Sequence, residues 1–306
     1  MRLALVCLFK AEPIRFRRAT AKNLATLSRA EQLARLAELC LQNAAALRQA
    51  LAWCAAHGVG GFRVNSQIWP LKTHPTAGYD LAELPGDVTA AYRACGACAQ
   101  EHGLRLSLHP DQFVVLNSPS DEVTARSLAE LEYQAQLAGL IGADVINLHA
   151  GGVYNDRAAA LERLAERIAG LPLSVRKRLT LENDDRLYAP HDLLPLCHAL
   201  HVPLCYDAHH HRCHGLAEMS IEDATQAALG TWNREPLFHI SSRREERLRP
   251  GECHHADYIS PSDIPACWRN LRITLEVEAK AKELAVLRLR SELQNCGWRL
   301  WPDKKD

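Results

Sequence analysis

Seven short apolar segments of this chain run into a residue able to bind a metal. They are Phe62-Arg63-Val64 ahead of His74, Leu106-Ser107-Leu108-His109, Val145-Ile146-Asn147-Leu148-His149, Leu179-Thr180-Leu181-Glu182, Leu204-Cys205-Tyr206-Asp207, Leu237-Phe238-His239 and Leu275-Glu276-Val277-Glu278. They recur roughly every 25–40 residues, a spacing that leaves room for a helix between successive strands. Parallel strands of this kind, apolar on both faces, are covered inside and out. A strand-end ligand repeated in register then converges on one rim of a barrel, where a polynuclear metal site can form.

Helical periodicity fills the intervals. Leu33, Leu36, Leu47 and Leu51 lie on one face of a helix expected from about Arg29 to His57, with Gly58 ending it. Further helices are expected over 86–102, 121–141, 156–170, 190–200, 220–230, 261–270 and from about Ala279 to Asn295. Ser120 is a good N-cap for the helix over 121–141, and Asp121 and Glu122 suit its positive end. With a first strand over 2–8, the order is eight strands alternating with helices. No Gly-x-Gly-x-x-Gly turn follows the first strand, so a closed barrel fits better than a doubly wound sheet. The expected fold is α/β: a single (β/α)8 TIM barrel over residues 1–306, with 296–306 a short C-terminal tail. A chain of 306 residues, 47% of them hydrophobic, suits that size.

The apolar run at the N-terminus is short and lacks a small-residue cleavage site, which predicts a first strand, not a signal peptide, and a cytoplasmic protein. No apolar stretch is long enough to span a membrane. Lys and Arg total 36 against 36 for Asp and Glu, which excludes strong non-specific DNA binding by net charge but not a local basic patch. Eleven cysteines are scattered among Ala and Leu and are expected to be reduced core residues. Cys95-Gly-Ala-Cys98 is a lone pair inside a helix, without the second pair a zinc ribbon needs.

His109, His149, Glu182, Asp207, His239 and Glu278 all fall at or just past a strand's C-terminal end. Carboxylates brought this close repel and raise one another's pKa unless cations neutralise them. Imidazole with carboxylate suits Zn2+, Mn2+ or Fe2+. His209-His210-His211 offers one or two further imidazoles, and His254 or His255 could fold back to the rim. Metal-assisted phosphodiester hydrolysis is the leading chemistry, and sugar isomerisation or epimerisation on the same barrel is the alternative. No G-x-S-x-G elbow supports a serine triad. Two basic loops, with Arg15, Arg17, Arg18 and Lys22 after the first strand and Arg243, Arg244, Arg247 and Arg249 after the seventh, lie at the expected metal rim and suit phosphate contact. Lys304 and Lys305 read as a solvated tail.

At eight stretches in order the chain resembles the UV damage endonuclease family, more distantly related to endonuclease IV. They include Pro70-Leu71-Lys72-Thr73-His74-Pro75, His109-Pro110-Asp111-Gln112-Phe113, His149-Ala150-Gly151-Gly152, Glu182-Asn183-Asp184, Asp207-Ala208-His209-His210-His211, His255-Ala256-Asp257-Tyr258 and Glu278-Ala279-Lys280-Ala281-Lys282. The resemblance implies a DNA repair enzyme that nicks damaged duplex immediately 5′ of cyclobutane pyrimidine dimers, 6-4 photoproducts and abasic sites. It implies up to three divalent ions, usually Mn2+, on His109, His149, Glu182, Asp207, His210, His239, His255 and Glu278, with His74 nearby and Glu182 bridging. It also implies a Gln112-Phe113 pair wedged beside the lesion, Phe standing where relatives carry Tyr. Glu182, Glu278 and Lys280 are the expected catalytic groups, the choice between Lys280 and Lys282 for phosphate contact staying open. Leu237 replaces a Lys of relatives, and Leu5 and Phe9 stand where some relatives place lesion-side residues. A monomer without an obligate protein partner, associated with the nucleoid when on DNA, is expected.

Overall fold

In the computed structural model, residues 1–244 and 253–301 are described. Eight parallel strands form one sheet in the order β6-β5-β4-β3-β2-β1-β8-β7. They are β1 (Arg2–Val6), β2 (Gly61–Val64), β3 (Arg105–Leu108), β4 (Val145–His149), β5 (Leu179–Glu182), β6 (Leu204–Cys205), β7 (Leu237–Ile240) and β8 (Thr274–Val277). The remaining seam, β6 to β7, is bridged at Asp207 and His239, with the His239 N–H donating to Tyr206 O at 3.0 Å. The sheet therefore closes into a (β/α)8 barrel, and two metal-ligand candidates sit on the closing bridge.

The helices are α1 (Ala21–Leu24), α2 (Arg29–Ala56), α3 (Gly86–Glu101), α4 (Asp121–Ile141), α5 (Arg157–Ala169), α6 (Leu173–Arg176), α7 (Pro190–Leu200), α8 (Ala208–His214), α9 (Ile221–Gly230) and α10 (Glu283–Asn295). Their starts follow local chemistry. Ser28 and Glu31 form a reciprocal capping box on α2, and Ser120 accepts from Val123 N–H on α4. Asp207 caps α8 by accepting from His210 N–H, so the cap that begins the helix also fixes a ligand candidate.

Three expectations change. The helix over 261–270 is two short 3-10 turns, Pro261–Asp263 and Ala266–Trp268. Pro265 lacks the N–H that a continuous helix needs, and Asn270 takes φ 110°. The three consecutive histidines lie within α8, not on an extended strand end, so they fan around a helix. The third concerns the tail: Leu300 is buried, Trp301 N–H donates to Met1 O at 2.8 Å, and the Arg2 guanidinium lies 3.7 Å over the Trp301 ring. Lys304 and Lys305, like Arg247 and Arg249, lie outside the described residues.

Inside the barrel, polar layers alternate with a small apolar one. Arg2, Glu235, Arg105 and Thr274 are hydrogen-bonded at the N-terminal end of the strands. Val145, Cys205 and Leu237 form a separate apolar cluster inside the barrel, with Trp232 against it. Leu237 thus belongs to a hydrophobic layer, one strand period below His239. Leu5 and Phe9 are also core residues: Phe9 packs edge-on to Trp53 and stacked on Phe62, at 5.2 and 6.1 Å between centroids.

Candidate metal centre

Period-two geometry aims alternate strand residues at the axis, so the last inward residue of each strand meets the others at the rim. Three overlapping groups form there: His109–His149–Glu182, Glu182–Asp207–His210 and Asp207–His239–Glu278. Within each, one ligand atom per residue lies within 4.8 Å of the others. Glu182 belongs to two groups and Asp207 to two, which is the connectivity of adjacent ion sites sharing ligands.

Glu182 is the hub. Its Oε2 lies 3.1 Å from His109 Nε2 and accepts from Asn147 Nδ2 at 2.5 Å, while its Oε1 is 3.2 Å from His239 Nδ1 and 3.3 Å from His210 Nδ1. Burial alone would raise this carboxyl, but the imidazoles of His239 and His149 hold it well below the ordinary range. His239 is fully buried, which opposes its charge, yet Cys205, Glu182 and Glu278 keep it protonated well above an ordinary histidine. His210 behaves alike: burial is outweighed by Asp207 and Glu182, and it is pushed up to about 10. His149 goes the other way, lowered by its burial. Without cations, then, protons on His210 and His239 balance the buried carboxylates.

Outer contacts set which nitrogen each ring presents. His109 Nδ1 lies 2.9 Å from Pro110 O and His210 Nδ1 lies 3.0 Å from Asn183 O. A carbonyl only accepts, so His109 Nδ1 carries the proton and its Nε2 is left for coordination, while His210 Nδ1 lies between Asn183 O and the carboxylates of Glu182 and Asp207. His239 is turned over: its Nε2 meets Glu276 Oε2 at 2.9 Å, leaving Nδ1 toward the site. Asn183 clamps Asp207, accepting from its N–H and donating to its carbonyl. Asp207 Oδ1 is spent on the α8 cap, and its Oδ2 is buried with no hydrogen-bond partner among the described residues. A buried carboxylate oxygen without a donor is costly unless a cation meets it, and the surrounding imidazole and carboxylate donors fit a divalent transition metal.

Of the other expected ligands, His255 sits beside the groups, its Nδ1 3.7 Å from Glu278 Oε2. His74 stands apart from all of them among the described residues. Its Nδ1 accepts from the N–H of Ala77 and of Thr76, at 3.2 and 3.3 Å, so a neutral ring carries its proton on Nε2 and offers no lone pair there. His74 instead lines a cavity of about 530 Å³ with Trp69, Lys72, Asp111, Phe113 and Tyr133. Phe113 is 71% exposed at the tip of the loop after β3, beside exposed Gln112. Arg15, Arg17, Arg243 and Arg244 are exposed on the segments that follow β1 and β7. Lys280 is exposed, whereas Lys282 is half-buried with φ 54°, and burial, together with the nearby Arg63, lowers its pKa against the pull of Cys7 and Glu278.

Several functional residues escaped the sequence reading. Arg63 donates to Glu276 at 2.9 Å and Glu278 at 2.5 Å, placing a buried cation under the site. Glu276 is depressed to about 2: burial opposes its charge, but Arg63 and His239 more than offset it. Glu276 lies two residues before Glu278, and Arg63 lies inside β2, so strand alternation was the signal available for both. The expectation of eleven reduced cysteines is corrected too. Cys213 and Cys253 form a disulfide, while nine cysteines are unpaired. The pair was invisible because 40 residues separate its members in sequence.

The family profile described as UV-endonuclease UvdE matches residues 1–298. A UV DNA damage endonuclease of Bacillus cereus (strain G9842) is 34% identical over 275 residues, 87% of this chain and 86% of that protein. The crystal structure of SacUVDE superposes with a TM-score of 0.86 at 27% identity, covering 98% of this chain and 100% of that one. Endonuclease IV from Thermus thermophilus has a TM-score of 0.58 at 18% identity, covering 81% of this chain and 94% of that one, and so is similar in fold alone. The chain belongs to the UvdE family of UV endonucleases.

Proposed function

We propose that this protein is a metal-dependent DNA repair endonuclease that hydrolyses the backbone immediately 5′ of UV photoproducts and abasic sites in duplex DNA. The observation that carries it is the set of three linked ligand groups at the rim, sharing Glu182 and Asp207. Divalent ions held there, with Mn2+ the first choice and Zn2+ or Fe2+ compatible with the same donors, would supply Lewis-acid stabilisation of phosphoryl charge and acidify a water. The chain's own residues do the rest. Glu182 ties the groups together, Glu278 is oriented by Arg63, and Lys280 reaches from the rim toward a phosphate. Arg15, Arg17, Arg243 and Arg244 contact backbone phosphates, and Gln112 with Phe113 fills the space beside an unstacked lesion. His74 serves as an Nε2–H donor at the cavity wall next to that wedge. The sugar-isomerase alternative rests only on the shared barrel and explains neither the exposed Phe113 nor the flanking arginines.

The test is a supercoiled plasmid, UV-irradiated or untreated, incubated with purified protein and Mn2+, beside an oligonucleotide with one abasic site. Nicking confined to damaged DNA is expected, abolished by Glu182→Gln and weakened by Phe113→Ala. Phe113→Ala should change stability by no more than ~0.5 kcal/mol, as for other exposed positions. Absence of lesion-dependent nicking on both substrates would overturn the proposal.

A further inference from the structure

Cys213 and Cys253 bridge two segments that each deliver a ligand candidate. Cys213 lies one helical turn beyond His209 and His210 on α8, and Cys253 lies two residues before His255. Their Cα atoms are 6.1 Å apart. The His209 ring fills the space against both, with Nε2 3.2 Å from Cys253 O and 3.8 Å from Cys213 Sγ, and packs edge-on to His255 at 5.3 Å between centroids. Downstream, Ala256 N–H donates to Ser242 O at 2.8 Å and Lys280 N–H to Ala256 O at 3.1 Å. These bonds hold the far side of His255, and the disulfide holds the near side.

A barrel with a core this large has no need of a disulfide for stability. Nine further cysteines outside any disulfide mark a chain built around thiols, and in such proteins an isolated disulfide is more often redox-sensing than structural. Cys213 and Cys253 are half-buried, so a small reagent can reach them, as it can Cys7, Cys98, Cys267 and the exposed Cys296, whereas Cys40, Cys54, Cys95, Cys197 and Cys205 are buried; of the accessible cysteines, these two face each other.

Resting on the functional reading above, we propose that Cys213 and Cys253 form a redox-controlled staple that locks His255 over the metal centre when oxidised and releases it when reduced. The oxidant is a small-molecule disulfide such as oxidised glutathione. One cysteine thiolate attacks a glutathione sulfur and expels a glutathione thiolate, giving a mixed disulfide. The second cysteine thiolate attacks the protein sulfur of that bond and expels the other glutathione thiolate. The two protons lost by the cysteines are taken up by the two leaving thiolates, so two thiols and one disulfide exchange for one disulfide and two thiols.

The test uses the full chain loaded with Mn2+ and treated with either oxidised glutathione or dithiothreitol. Alkylation and peptide mapping read the 213–253 link, and an EDTA chase reads metal release. The oxidised protein should release Mn2+ about tenfold more slowly, the scale on which an outer support affects a metal site. Cys213→Ser and Cys253→Ser should release at the reduced rate under both treatments, and Cys296→Ser should keep the redox response. The reduced wild type makes the same comparison without any substitution. The proposal is overturned if the link never forms or if both states release metal equally. It is also overturned if the reduced chain takes up an extra Zn2+ that Cys253→Ser does not, which would make His209, Cys213 and Cys253, whose ligand atoms lie within 4.8 Å of one another, a thiolate metal site. Because the readout is metal release, a chain that fails to nick irradiated DNA leaves this result standing, and the reverse holds as well.

Discussion

His210 shows how one residue couples proton, metal and fold. Its ordinary value is 6.5, and in the folded, metal-free chain it is pushed up to about 10. The folded state therefore binds this proton more tightly than the unfolded state. The resulting stabilisation is fully present below about 6.5, declines as pH rises, and is lost through about 10. Metal coordination needs the neutral ring, so an ion must displace the same proton. Two outcomes are expected. The melting temperature of EDTA-treated protein should fall between pH 6.5 and 10. Mn2+ binding at neutral pH should release protons, read as a binding enthalpy that changes with the ionisation enthalpy of the buffer. A melting temperature that rises over that interval without metal would contradict the charge balance described for Glu182, His210 and His239.

At the scale of elements, strand ends were legible in the sequence and what lies one period beneath them was not. His109, His149, Glu182, Asp207, His239 and Glu278 follow apolar runs, and strand termination makes their convergence a matter of geometry. The interior layer is less legible because Arg63 and Glu276 lie within strands and look like ordinary charged interruptions until the register of β1, β2 and β8 brings them together. The 261–270 segment misled for the opposite reason: its apolar spacing resembles a helix, and Pro265 in its interior overrides it. His74 lies outside the three ligand groups, and the turn at 76–77 occupies its Nδ1, a local detail that no motif displays. The interior layer has a measurable consequence. Arg63→Met leaves Glu276 and Glu278 buried without their cation, and removing one partner of such a group costs about 3–5 kcal/mol. Chemical denaturation should show a loss of that size in EDTA, partly recovered by Mn2+ because an ion neutralises Glu278. An equal loss with and without metal would place Arg63 outside the site's charge balance.

For the whole molecule, a net charge of zero has to be reconciled with a polyanionic substrate. The resolution is spatial. Many acidic groups are committed inside the barrel or in surface pairs, such as Glu276 with Arg63, Asp144 with Arg105 and Glu83 with Arg29. The exposed arginines after β1 and β7 stand on loops at the strands' C-terminal end, where the metal ligands lie. DNA binding by such a molecule is local and weakly attracted at long range, so its salt dependence reports the few phosphates it touches and not a global field. Each phosphate neutralised contributes about 0.9 to the slope of log K against log salt. Replacing Arg15 and Arg17 together with Gln should therefore lower the magnitude of that slope by roughly 1.8 on damaged duplex if each contacts one phosphate. The thermal stability of the double variant should be unchanged, because both side chains are exposed. The measurement is fluorescence anisotropy on an abasic duplex across a salt series, with Ca2+ in place of Mn2+ to hold back cleavage. An unchanged slope with weaker binding would assign these arginines to local loop structure, for which the Arg15 contacts to the backbone oxygens of Glu12 and Ile14 already provide the geometry.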